Sequence, residues 1–238
     1  LMSVRYLAVE GAPPGEYYFL ILCATLGMFV MAGSIDLISI FIGLETMAVT
    51  FYILTGFIKP SQRSNEAAVK YFLLGAFSLG ILLYGMSLMY GLSGTTNLRK
   101  MATLFTGHEG DPRLVLAVIL VVAGVGFKIA AVPFHMWAPD VYDGAPTPVT
   151  AFMATTVKAA AFAALFRLLI TAFNSVPAWH DIVWWLAAVT MVGGNLFALG
   201  QRSLKRMLAY SSVAHAGYLL VAVTAGGSEG SGAFLVYA

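Results

Sequence analysis

Long apolar runs, broken at short intervals by turn residues and small clusters of charge, organise the chain. Tyr17 to Ile35, Tyr71 to Leu98 and Ile182 to Gln201 contain no Asp, Glu, Lys or Arg. Four more stretches are apolar but interrupted: one by Glu45, one by Lys128, one by Lys158 and Arg167, and one by His215. A helix needs about 20 largely apolar residues to cross about 30 Å of hydrocarbon. The pattern therefore predicts seven spans, at about 17–35, 37–58, 66–92, 114–134, 148–173, 182–200 and 207–226, with an eighth starting near Gly232. The expected fold is all-α, a polytopic transmembrane helix bundle forming one domain over residues 1–238. The chain begins with Leu1 and stops at Ala238 inside a new apolar run, as a piece of a longer protein would.

Two connecting segments carry more than turn signals. In Pro60-Ser-Gln-Arg-Ser-Asn-Glu66, Asn65 is the candidate N-cap of the next span, and Glu66 precedes Lys70 by four residues, the favourable order for a helical pair. The run from Pro133 to Pro148 holds four prolines and the carboxylates Asp140 and Asp143, without Lys or Arg. Proline restricts the backbone, so this segment is expected to be folded. Just before it, Gly124-Val-Gly-Phe-Lys128-Ile-Ala-Ala-Val-Pro133 predicts a discontinuous helix, because Pro133 cannot donate to the carbonyl of Ile129. Gly124 and Gly126 either loosen the turn before the lysine or let a neighbouring helix approach closely.

Composition agrees with a membrane protein and narrows the chemistry. Only 10% of the 238 residues are charged and 60% are hydrophobic, against about 25% charged in a soluble domain. The net charge of +2 is spread over loops with no basic run, so no nucleic-acid partner is expected. The single cysteine, Cys23, sits inside an apolar span, and the four histidines have no i, i+3 or i+4 spacing; neither a metal site nor haem ligation is expected. No glycine-rich phosphate loop and no cleavable signal pattern are present. Lys59, Arg63, Lys70, Arg202, Lys205 and Arg206 fall on the side of the chain start, outweighing Arg99, Lys100 and Arg113 opposite, which places the chain start on the cytoplasmic side.

The few charges inside the spans are the candidate site. A charged group near mid-membrane costs about 2.5–3.5 kcal/mol on insertion scales, and such groups commonly mark ion or proton pathways. Glu45, Lys128 and Lys158 are therefore candidate proton carriers, with structural interhelical ion pairs as the rival reading. In a low dielectric the proton affinity of a lysine depends on whether a carboxylate stands beside it. Glu45 is expected to pair with Lys128 and hold it charged, and weakening that pair would push the proton toward Lys158 through bridging water. Lys70, near Glu66, fits a local pair or the same pathway; Arg167 fits snorkelling to the headgroups. His135 and His215 are weaker candidates, either relays or hydrogen-bonded core residues.

The run GFKIAAVPFHMWAPDVYDGAPTPVTAFMATTVKAAAF, Gly126 to Phe162, resembles the central segment of the antiporter-like membrane subunits of respiratory complex I. DVYDGAPTPVTAF is similar to the subunit N branch of bacterial NADH-quinone oxidoreductase and its organelle and cyanobacterial relatives. IGLETM around Glu45, SNEAAVKYFLLGAFSLGILLYG and SLKRMLAYSSVAHAGYLL extend the likeness over nearly the whole chain. The resemblance implies spans four to ten and the start of the eleventh of a longer subunit. It implies that Glu45, Lys128 and Lys158 match the family's pathway glutamate and lysines, that Lys70 matches a further lysine of that polar axis, and that His135 and His215 lie in shared motifs. It also implies no cofactor in this chain: FMN, iron-sulfur clusters and quinone belong to partner subunits. Its partners would be other membrane-arm subunits of the complex, including neighbouring antiporter-like subunits, with the lipid bilayer, protons and water. A bacterial inner membrane is expected, with organelle inner or thylakoid membranes as alternatives. Rival functions are a homologous subunit of a multi-subunit Na⁺/H⁺ antiporter or membrane-bound hydrogenase, and a structural membrane subunit with non-conducting ion pairs.

Overall fold

In the computed structural model, which describes residues 2–237, the chain folds as a bundle of helices; Leu1 and Ala238, the ends of the expected domain, lie outside the described residues. The first half comprises α1 (Met2–Glu10), α2 (Pro14–Gly33), α3 (Leu37–Thr55), α4 (Gln62–Ser93), α5 (Leu98–Phe105) and α6 (Pro112–Lys128). After α7 (Trp137–Gly144), α8 (Thr147–Phe152) and α9 (Lys158–Arg167) are joined by a π-helical turn, Met153–Val157, and a second π turn, Leu168–Ala172, extends α9. Then follow α10 (Ala178–Leu199), α11 (Leu204–Ala225) and α12 (Gly227–Tyr237). Six helical stretches are long and apolar enough to cross a membrane among the described residues, including the continuous run Thr147–Ala172.

The expected span at 114–134 is the broken one. α6 stops at Lys128 after 17 residues, about 25 Å of helix, so the lysine lies short of the far surface. The Pro-rich segment that follows is folded as expected, but it contains a helix, α7, rather than only loop. α1 and α5 are also short helices where only connecting chain was expected, and α12 begins before Gly232.

Local chemistry sets the helix starts. Asp36, Asn97 and Asp111 accept hydrogen bonds from backbone N–H groups one turn on and cap α3, α5 and α6. The cap of α4 is Ser61, not Asn65. Ser61 accepts from the N–H of Ser64, so the helix starts a turn earlier, and the freed Asn65 amide secures the loop by donating to the carbonyl of Lys59 at 2.9 Å.

Backbone contact fixes the α2–α3 hairpin. A Cβ on Gly27 would stand 2.6 Å from the Met47 nitrogen, and one on Gly43 would stand 2.5 Å from the Met31 nitrogen. Only glycine lets two membrane helices come this close. α4 packs on α6, α10 packs on α11, and α7 seats between α4 and α11. Lys128 and Lys158 are thereby enclosed by helices on several sides.

Candidate functional site

The end of α6 is closed by a Schellman turn: Ala130 donates to the carbonyl of Phe127 at 3.1 Å and Ala131 to that of Gly126 at 2.8 Å. The turn needs a left-handed residue, a place usually taken by glycine, and here Ala130 adopts it with φ of 58°. Beyond the turn, Val132 donates to the Thr190 hydroxyl of α10 at 3.0 Å, and the Trp137 indole donates to the Phe127 carbonyl at 2.8 Å. These bonds hold the interruption in place inside the bundle. Gly124 is fully helical and would place a Cβ 2.5 Å from that of Leu82, so it serves the approach of α4 rather than loosening the turn.

Lys128, 2% exposed, points into an aromatic box. Its Nζ donates to the hydroxyl of Tyr52 at 3.3 Å and lies 5.4 Å from the Tyr52 ring centre and 5.9 Å from those of Tyr71 and Phe127. Such contacts favour an ammonium through the ring quadrupoles. Tyr52 meets Tyr71 edge-on at 4.8 Å, and Tyr71 stacks on Trp137 at 4.6 Å. The Tyr52 phenol lies over Gly75 of α4, where any Cβ would collide with its hydroxyl.

Glu45 does not form the expected ion pair with Lys128. It interacts electrostatically with Lys128 across the site, yet the lysine is bonded to Tyr52 instead, and Oε1 of Glu45 is buried with no hydrogen-bond partner among the described residues. The group bonded to the ammonium is the Tyr52 phenol, two turns along α3 from Glu45.

Lys158 is 5% exposed and is the first residue after the π turn Met153–Val157. Its Nζ donates to the carbonyl and to the hydroxyl of Ser212 on α11, both at 2.6 Å. π turns often occur at functional sites, because one extra residue re-aims the side chains around it.

Lys70 lies in a different place from the other candidates. It bonds Glu66 at 2.7 Å and Asp140 of α7 at 3.0 Å, and Arg206 of α11 holds the other oxygen of Asp140 at 2.6 Å. Burial alone would raise the Asp140 carboxyl, but the two cations outweigh it and hold it below the ordinary carboxylate value. Asp143 accepts from the Ser203 hydroxyl at 3.0 Å. This ionic cluster lines a cleft of about 210 Å³ at one end of the bundle.

The histidines divide. His135 is buried, its ring stacked on Phe197 at 5.4 Å, so it anchors the interruption to α10. His215 is exposed, one turn along α11 from Ser212, and its Nδ1 lies 2.6 Å from the Tyr237 hydroxyl. Neither has a hydrogen bond to Lys128 or Lys158. Arg167 is half-buried, with its Nε without a partner among the described residues.

The chain is similar to membrane subunits of known complexes. The family model described as "NADH:quinone oxidoreductase/Mrp antiporter, TM" matches residues 34–238. The chain is 52% identical over 240 residues to NADH-quinone oxidoreductase subunit N of Trichlorobacter lovleyi, covering 100% of this chain and 49% of that protein. A chain of respiratory complex I from Thermus thermophilus matches with a TM-score of 0.76 and 44% identity, over 87% of this chain and 45% of its own. A chain of an archaeal membrane-bound sulfane sulfur reductase matches with a TM-score of 0.84 and 31% identity, over 95% of this chain and 46% of its own. The chain spans about half the length of the curated relatives it matches.

Proposed function

Because the chain belongs to the NADH:quinone oxidoreductase/Mrp antiporter transmembrane family, we propose that it is the proton-conducting part of a subunit N of NADH-quinone oxidoreductase. Oxidation of NADH and reduction of quinone take place in partner subunits carrying FMN and iron-sulfur clusters, and this chain uses the energy to move protons. The single observation that carries the reading is a pair of buried lysines, Lys128 and Lys158, each at an interruption of its helix and each bonded to neutral oxygens. An ammonium held by neutral groups changes its proton affinity when a charge nearby moves, whereas a tight ion pair resists that change.

The proton resides on Lys128 while the field of Glu45 favours it. A rearrangement that weakens that field releases the proton through water toward Lys158 and onward. Lys70, His135 and His215 stand outside this step. Lys70 and Asp140 tie the interruption to α4 and α11 at the end expected to face the cytoplasm, and His135 braces it against α10.

A purely structural role for the charges has less support. Ion pairs that join helices involve Lys70, Asp140 and Arg206 at one end of the bundle, while the lysines deepest in the apolar core are not used to bind helices by charge. The 44% identity to a chain of respiratory complex I against 31% to the sulfur reductase supports the first machine over its relatives. The test is Lys128→Ala in the assembled complex. NADH-driven proton pumping should be lost while the complex remains intact; unchanged pumping would sink the assignment.

A further inference from the structure

We propose that Tyr52 is a proton-transfer residue joining Lys128 to Glu45; the inference rests on the proton-conducting reading above. The Tyr52 hydroxyl accepts a hydrogen bond from Lys128 at 3.3 Å. A phenol has one proton to donate and lone pairs to accept with, so its own O–H is left to point elsewhere. Glu45 lies seven residues earlier on α3, two turns along the same face, and helical side chains lean toward the N-terminus, so the phenol leans toward the carboxylate. Glu45 has the complementary need, since Oε1 is buried without a donor among the described residues. The two groups already interact electrostatically.

The transfer balances without any redox partner. The O–H bond of a protonated Glu45 breaks and its proton reaches the Tyr52 oxygen through water in the remaining interval. The phenol's original O–H bond breaks as that proton passes to the Lys128 amine. Glu45 ends as a carboxylate, Tyr52 as a phenol again and Lys128 as the ammonium that donates to it, ready to pass a proton on toward Lys158, with one proton moved and no electrons. Gly75 belongs to the same device, because the phenol occupies the space that a Cβ there would fill.

The experiment compares Tyr52→Phe, Gly75→Ala and Lys128→Ala in the assembled NADH-quinone oxidoreductase in membrane vesicles. Complex content, NADH-driven proton uptake and the solvent deuterium isotope effect on that uptake are measured. Tyr52→Phe keeps the ring and removes the hydroxyl; Gly75→Ala keeps the tyrosine and drives its hydroxyl off Lys128. Both should lower pumping by roughly tenfold or more and change the isotope effect, as loss of a positioned proton-transfer group does. Wild-type pumping in Tyr52→Phe with no pumping in Lys128→Ala overturns the relay and leaves the proton-conducting reading standing. Normal pumping in all three overturns both. Reduced pumping with an unchanged isotope effect makes Tyr52 a packing residue and also overturns the relay. If Tyr52→Phe does not assemble, Gly75→Ala decides: full pumping there rejects the relay, and loss with a changed isotope effect supports it.

Discussion

Lys158 donates to both the carbonyl and the hydroxyl oxygen of Ser212, each at 2.6 Å. A buried ammonium on one helix is thus held by two neutral oxygens of another, α11. One of the two is a side chain and can be removed.

Ser212→Ala should therefore leave the backbone contact and delete the other. A hydrogen bond to a charged group is worth about 1.5–3 kcal/mol, so pumping should slow by roughly tenfold to a hundredfold if Lys158 carries protons. Ser212→Thr keeps a hydroxyl and should recover most of the rate. Proton uptake by vesicles, normalised to assembled complex, checks both; equal rates in Ala and Thr variants would show that the hydroxyl has no part.

Much of the site could be read from the chain because charge in an apolar run is conspicuous. Glu45, Lys128 and Lys158 interrupt otherwise largely apolar spans, and Pro133 marks the break beyond Lys128. Tyr52 and Ser212, which bond those lysines, gave no such signal: an aromatic or a hydroxyl in a membrane helix is ordinary, and its role comes from what a distant helix brings to it. The partners of Asp140 lie 70 and 66 residues away, so no local spacing could pair them. The π turns leave no mark in Met153-Ala-Thr-Thr-Val157, since the widened turn is a response to packing. The expected Glu45–Lys128 contact misplaced a real electrostatic neighbour, because charge indicates attraction but not which group the ammonium bonds.

Asp140→Asn should loosen the clamp between α4, α7 and α11. The carboxylate is about a third exposed, so after solvent screening the loss is about 1 kcal/mol or less. The sign with pH follows from its lowered folded value. The stabilisation is present above the ordinary carboxylate value of about 4 and is lost as pH falls through the lower folded one. Thermal unfolding from pH 7 to pH 3 should show the wild type above the variant near neutrality, with the gap closing only in acid. A gap that widens in acid would contradict the clamp.

Gly27→Leu and Gly43→Leu should each separate α2 from α3, since the new side chain meets backbone atoms that cannot yield. Overpacking typically costs about 1–3 kcal/mol, and here it falls two residues from Glu45 in the Gly43 variant. Both should reduce assembled complex in the membrane. Gly33→Ala in the same hairpin meets nothing within 4 Å and should assemble normally. If all three behave alike, close approach is not what these glycines provide.

Ala130 offers a gain instead of a loss. Its φ of 58° places an alanine in the left-handed region two residues after Lys128, a conformation costing roughly 1–2 kcal/mol for a residue with a Cβ. Ala130→Gly removes that clash but adds chain entropy to the unfolded state, so the net change should be stabilising by under about 1 kcal/mol. Ala130→Val should do the opposite, because a β-branched side chain is a genuine outlier at positive φ. The thermal midpoint of the assembled complex should rank Gly first, then the wild type, then Val. The Schellman bonds from Ala130 and Ala131 do not use the side chain, so the glycine variant should retain the break that ends α6 at Lys128 and pump normally. A stabilised variant with lost pumping would mean that strain at the break, and not only its geometry, is needed to move the proton.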